Sequence, residues 1–105
     1  MATTTITHEY YVGQRVWFML PGNGMIVLTN GEISEIRPMI LKEDKVYVRY
    51  SVDFVDSTGE RLNATLWEDE VFPNKSRAHA ALRPLAAYRR VDIIIRENYT
   101  GADED

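Results

Sequence analysis

The chain contains no cysteine. That absence removes disulfide staples, thiol nucleophiles, zinc knuckles and cysteine-ligated iron–sulfur clusters together. It also fits the reducing cytoplasm, and a cytoplasmic protein is the expectation. Histidine is scarce: His8 lies in a polar N-terminus and His79 on a predicted helix. No apolar run approaches the ~20 residues that span a bilayer, so no membrane partner is expected. Met1-Ala2-Thr3-Thr4-Thr5 lacks the basic start and apolar centre of a signal peptide. Asn98-Tyr99-Thr100 matches a glycosylation acceptor, which without an export signal reads as chance. No serine sits in a nucleophile elbow, and no glycine-rich phosphate loop opens a helix. Glu68-Asp69-Glu70 are adjacent carboxylates, but neighbours on a strand face opposite ways. They read as a solvated acidic cap ahead of a helix. The expectation is a non-enzyme with no catalytic residues, no metal ligands and no cofactor.

What is present is a strong period of two. Val46, Val48, Tyr50, Val52 and Phe54 alternate with Tyr47, Arg49, Ser51 and Asp53, which gives a strand with one apolar and one wet face. After Asp56-Ser57-Thr58-Gly59-Glu60, a turn-forming stretch, Leu62, Ala64 and Leu66 repeat the pattern. The two runs predict a β-hairpin. At 105 residues, 45% hydrophobic, the chain suits one domain with one ordinary core.

Before the hairpin, Val16, Phe18 and Leu20 share one face, opposite Arg15, Trp17 and Met19. Pro21-Gly22-Asn23-Gly24 predicts a reversal. Asn30-Gly31 either closes a second hairpin or bulges one long bent strand. Ile33 and Ile36, three apart, break the alternation and suggest a bulge that curls the sheet. Pro38 ends that strand or lies on an edge. Lys42-Glu43-Asp44-Lys45 reads as a charged turn.

After Val71-Phe72-Pro73 the pattern becomes helical, with Asn74 as N-cap. Ala78, Ala81, Leu82, Leu85, Tyr88, Val91 and Ile95 gather on one side at 100° per residue. Pro84 offers a place where the helix breaks in two. The β-branched run Val91-Asp92-Ile93-Ile94-Ile95-Arg96 could form a last strand, but the continuing apolar face favours helix. The expected organisation is a flexible segment 1–8, a β domain 9–72, a helical extension 73–97 and an acidic, disordered tail 98–105.

Val12-Gly13-Gln14-Arg15-Val16-Trp17-Phe18, then Gly31-Glu32-Ile33-Ser34-Glu35-Ile36, then Val46-Tyr47-Val48-Arg49-Tyr50 form a succession that resembles small SH3-like barrels of the Tudor and KOW type. Residues 12 to about 72 are covered. Asp69-Glu70-Val71-Phe72-Pro73-Asn74-Lys75 also looks like the step into a helix of small bacterial and phage-encoded members. The resemblance implies a fold class that is mainly β with C-terminal α: about five strands in an SH3-like barrel, then one helix. The extension 75–97 is a departure from the minimal barrel. Tudor-type barrels hold methylated Lys or Arg in an aromatic cage by cation–π attraction. By that resemblance Trp17 and Tyr47, with Phe54 or Trp67, are the candidate cage residues.

Trp17, Tyr47 and Trp67 all fall on the strand phase opposite the core. They offer a binding surface or a seat for the C-terminal helix, and the sequence leaves both open. Charge adds a second candidate surface. Residues 75–96 hold six of the twelve basic residues and one of the sixteen acids, while the whole chain carries −4. Arg83, Arg89 and Arg90 with Lys75 could meet phosphate, although the acidity of the whole chain argues against nucleic acid. The expected function is a protein–protein interaction or accessory module with a protein partner. It would act through Trp17, Tyr47 and Trp67 or through the helix, and could form a homo-oligomer through the C-terminal segment, where Ile93 and Ile94 would lie off the helix's apolar face. The alternatives are a nucleic-acid-associated protein or acidic DNA mimic, and a small-molecule or nucleotide-signal binder at an oligomer boundary.

Overall fold

The computed structural model describes residues 9–22, 24–40 and 46–97. The N-terminal segment 1–8, the charged turn 42–45 and the acidic tail 98–105 lie outside them. Among the described residues five strands and one α-helix follow in the order β1 (Arg15–Gly22), β2 (Met25–Ile40), β3 (Val46–Val55), β4 (Arg61–Trp67), α1 (Lys75–Arg89) and β5 (Asp92–Arg96). The first four strands form an antiparallel meander, and β5 adds to β2 in parallel. The architecture is mainly β with one C-terminal helix.

β2 organises the sheet. Its 16 residues run straight through Asn30-Gly31, so of the two readings of that dipeptide the long strand holds. Residues 25–32 pair with β1, and Glu32 onward pair with β3 on the opposite edge. A β-carbon on Gly31 would collide with the carbonyl oxygen of Asp53 and lie 2.7 Å from Val52 Cγ1. Glycine is what lets the backbone of β3 close in at this crossover. The register then slips between Ile33 and Glu35, the bulge that the three-residue spacing of Ile33 and Ile36 anticipates. Pro38 lies beyond the reach of β1, on a stretch of β2 paired on one side only among the described residues, where its missing N–H costs no ladder bond.

Alternation along β1 feeds two cores. Val16 and Phe18 enter the first, with Ile33, Val48, Tyr50, Val52 and Phe54. Trp17 enters the second, with Ile26, Leu28, Ala78, Leu82 and Ala86. The first core draws on β1, β2 and β3, with Ala64 and Leu66 of β4 packed against it, so the meander curls around it. Tyr10 and Val71 close it, and the Tyr10 hydroxyl donates to the Val71 carbonyl at 3.0 Å. Phe72 then exchanges two backbone bonds with Trp17, both 2.9 Å, on the free edge of β1. The chain leaving β4 thereby returns to the first strand.

Three expectations for residues 68–96 are corrected. Glu68–Glu70 is a 3₁₀ turn, not a strand end or a free acidic cap. Glu70 accepts from the Trp67 amide at 2.8 Å and Glu68 from the Tyr50 hydroxyl at 2.7 Å. The helix is unbroken at Pro84, whose ring is exposed and whose missing donor is tolerated within a helix held by packing. Residues 92–96 are a strand. Arg90 adopts the left-handed conformation, φ 57°, and its amide donates to Ala86 and Ala87. That cap ends the helix, and the isoleucines that follow take the free edge of β2, where extended β-branched residues gain ladder bonds. Asn74 is the N-cap as expected, accepting from the Arg77 amide at 2.8 Å.

The seat of α1 is narrow. Ala78, Leu82 and Ala86 are buried at four-residue spacing, and small residues let the helix lie close over β1 and β2. Ala81 and Tyr88, expected on the same face, are exposed, Tyr88 by 87%. The loss of Val91 and Ile95 to the strand explains this shift, because helical phase no longer has to carry the apolar side to residue 95.

Candidate functional site

The register of β2, β3 and β4 sets the outer face of the curled sheet, which alternation turns away from the first core. One row across the strands is Arg37, Arg49 and Trp67. The next is Met39 and Tyr47, and on the other side lie Glu35, Ser51 and Thr65. The Arg49 guanidinium carbon lies 4.7 Å from the centre of the Trp67 ring. Tyr47 meets Trp67 edge-on at 6.3 Å, with an interplanar angle of 80°, the geometry favoured by ring quadrupoles. Tyr47 is 43% exposed, and Arg49 and Trp67 are half-buried.

Two features of this patch stand out energetically. Arg37 and Arg49 are directly opposite across the strands, a pairing of like charges that costs stability. Glu35 relieves one of them, with its carboxylate 3.0 Å from Arg37. The Nε of Arg49 is buried and has no hydrogen-bond partner among the described residues. An unmet buried donor costs about 1–3 kcal/mol, more if charged, and calls for a structural or functional reason.

Further along the same face the charge reverses. Asp53 is paired with Glu32 on one side and Asn63 on the other, and Asn63 donates to the Asp53 carboxylate at 2.8 Å. These three residues line an open cleft of about 630 Å³ together with Val55, Arg61 and the β3–β4 hairpin residues Phe54 and Leu62. Arg49 and Asp53 are four residues apart, ~13 Å along an extended strand.

The other candidates are placed differently. Trp17 is 8% exposed and packs under α1, so its outward phase serves the helix and not a partner. Phe54 belongs to the first core. Lys75 is engaged twice, over the Trp17 ring at 5.9 Å and near Glu97 at 3.9 Å. Arg83, Arg89 and Arg90 are exposed, but Lys75 and Arg89 lie at opposite ends of α1, ~21 Å apart along its axis, so they do not converge on one anion. Of the three outward aromatics, then, Tyr47 and Trp67 come together and Trp17 does not join them. Arg49 is the member that sequence reasoning missed. Its position opposite Trp67 follows from the hairpin register, which the turn Asp56–Glu60 fixes and which residue alternation alone leaves free to slide.

Among the described residues no cluster of three or more His, Asp or Glu side chains is placed to hold a metal ion, and no helix is long and apolar enough to cross a membrane. A curled mainly-β domain carrying a cation–aromatic patch is the class that fold and site define. No protein-family model, curated protein or solved structure matches the chain.

Proposed function

We propose that the chain is a non-catalytic protein-interaction module on a small SH3-like barrel, and that its outer β3–β4 face receives an acidic, partly apolar segment of a partner protein. The bulge in β2, the 3₁₀ turn at Glu68–Glu70 and the return of Phe72 to β1 support the barrel reading. The observation that carries the function is the half-buried Arg49 guanidinium over Trp67, its Nε unmet, in one patch with the exposed Tyr47. A partner carboxylate would meet the guanidinium of that half-buried side chain in a charge-assisted bond, while its apolar neighbours lie on Tyr47 and Met39. The face of Trp67 already holds a guanidinium. The patch is therefore short of an acceptor and not of a cation, which weighs against a methyl-lysine cage. Glu35, Glu32 and Asp53 on the same face repel a polyanion, so a single carboxylate fits better than a nucleic-acid backbone.

A displayed library of random peptides selected on the full chain tests this. Recovered peptides are expected to carry Asp or Glu beside an apolar residue. Their affinity should fall roughly 10–100-fold with Arg49→Gln, the equivalent of one charge-assisted bond, and also with Trp67→Ala, but not with Arg83→Ala. Peptides without an acid, or binding that ignores Arg49 and depends on Arg83, would overturn the reading.

A further inference from the structure

The strand β5 is an edge. Among the described residues it pairs with β2 alone, in parallel, and its outer side offers the alternate N–H and C=O groups that a strand turns away from its neighbour. Its sequence, Asp92-Ile93-Ile94-Ile95-Arg96, carries charge only at its two ends and has no proline, lysine or bulge between them. Ile94 and Ile95 are 43% and 45% exposed, and both are β-branched residues that favour further pairing.

We propose that β5 pairs with β5 of a second copy of this chain, antiparallel about a two-fold axis through Ile94. The charges name the occupant. In that register Asp92 faces Arg96 of the second copy, Arg96 faces Asp92 of the second copy, Ile93 faces Ile95 and Ile94 faces itself. Every cross-strand pair is either opposite in charge or apolar, the pairings that stabilise a sheet. Neighbouring registers lack this. Sliding one residue one way sets Asp92 against Glu97 of the second copy, and sliding the other way sets Asp92 against Ile95. The pentapeptide is thus self-complementary in one register, as an isologous contact requires. Asp92 is exposed. Arg96 donates from Nη1 to the Val55 carbonyl at 3.3 Å, which holds its guanidinium at that end of β5 and leaves its other N–H donors for the carboxylate. The second copy lies at the β5 edge, so the Tyr47–Arg49–Trp67 face stays open and the assembly is a bivalent form of the module.

The absence of cysteine makes the register directly testable. Ile94→Cys places one thiol on the axis, at a cross-strand spacing from which a disulfide can form. Under mild oxidation the full chain with Ile94→Cys is expected to cross-link at least tenfold faster than with Leu62→Cys, a similarly exposed position (38%) on β4, which pairs with β3 and not with β5. In sedimentation, the wild type is expected at twice its 12.1 kDa chain mass. Asp92→Arg is expected at the single mass, and Asp92→Arg with Arg96→Asp at the double mass again. A wild type that remains single at every concentration would refute the proposal. So would an Asp92→Arg variant that stays dimeric, or Ile94→Cys and Leu62→Cys chains that oxidise at equal rates.

Discussion

Tyr50 joins three segments through one oxygen. Its hydroxyl donates to Glu68 at 2.7 Å and accepts from the amides of Glu9 and Tyr10 at 3.1 and 3.3 Å, while its ring packs edge-on against Tyr10 at 5.5 Å. Tyr50→Phe keeps the ring and removes these three bonds, so denaturant unfolding should show a loss of about 1–3 kcal/mol. Burial, together with the bond to Glu68, pushes the Tyr50 hydroxyl up to about 12. Burial likewise raises Tyr10, with the Glu9 and Glu68 carboxylates adding to it. A raised tyrosine keeps its proton folded at a pH where the unfolded chain, titrating near 10, has lost it. Stability is therefore full below about pH 10 and falls as pH rises toward 12, and Tyr50→Phe should flatten that fall. At Asp56 the sign is opposite. Its carboxylate accepts from the hydroxyl and amide of Thr58 and the amide of Glu60, and the Thr58 hydroxyl bond leads in holding it below the usual aspartate range. Its contribution is present above the unfolded aspartate value and is lost as pH drops through the folded one. Asp56→Ala should remove that acid-dependent part of a pH–stability curve.

At the scale of elements, β1, the central hairpin and the start of α1 are legible in the sequence because each signal is local. Alternation reads out a half-buried strand, and Asn74 is a good cap wherever it falls. The long β2 is legible as one of two alternatives, since Asn30-Gly31 is equally a turn and a point of close approach; only the proximity of Asp53 and Val52 decides. Residues 91–96 mislead because helical phase and β-branched propensity compete there, and the deciding fact is non-local: an unoccupied edge of β2. Two changes probe these elements. Gly31→Val forces a side chain into the β3 backbone and should cost about 1–3 kcal/mol or more in a thermal or denaturant melt. Pro84→Ala restores an amide to an exposed helix interior, where proline costs up to ~3 kcal/mol against alanine. It should raise the melting temperature, less whatever chain stiffness proline had contributed to the unfolded state.

For the whole molecule, the candidate site shows the same division between local and non-local. Tyr47 and Trp67 are marked by phase, but the patch depends on Arg49 lying between two strands that fix its neighbours, and on Trp17 being withdrawn beneath α1. Net charge points to the helix arginines, yet the helix carries its basic residues along a length that no single anion bridges. What unites the molecule is a β2 long enough to serve two cores. One shapes the outer face of β3 and β4, and the other fixes α1 and presents β5. Removal of β5 should therefore expose Ile26 and Leu28, loosen α1 and leave the first core folded, which hydrogen exchange would register as lost protection in residues 75–89 with β3 and β4 still protected.

The central claim is that Arg49 awaits a carboxylate. The most direct test follows the Nε–H resonance of Arg49 by NMR in the full chain as acetate, and then an acid-bearing peptide from the selection, is added. The account predicts a saturable shift of that resonance, with Trp67 and Tyr47 moving in step and the peptide binding far more tightly than acetate. An Arg49 resonance that stays fixed while the peptide shifts residues of α1 would contradict it.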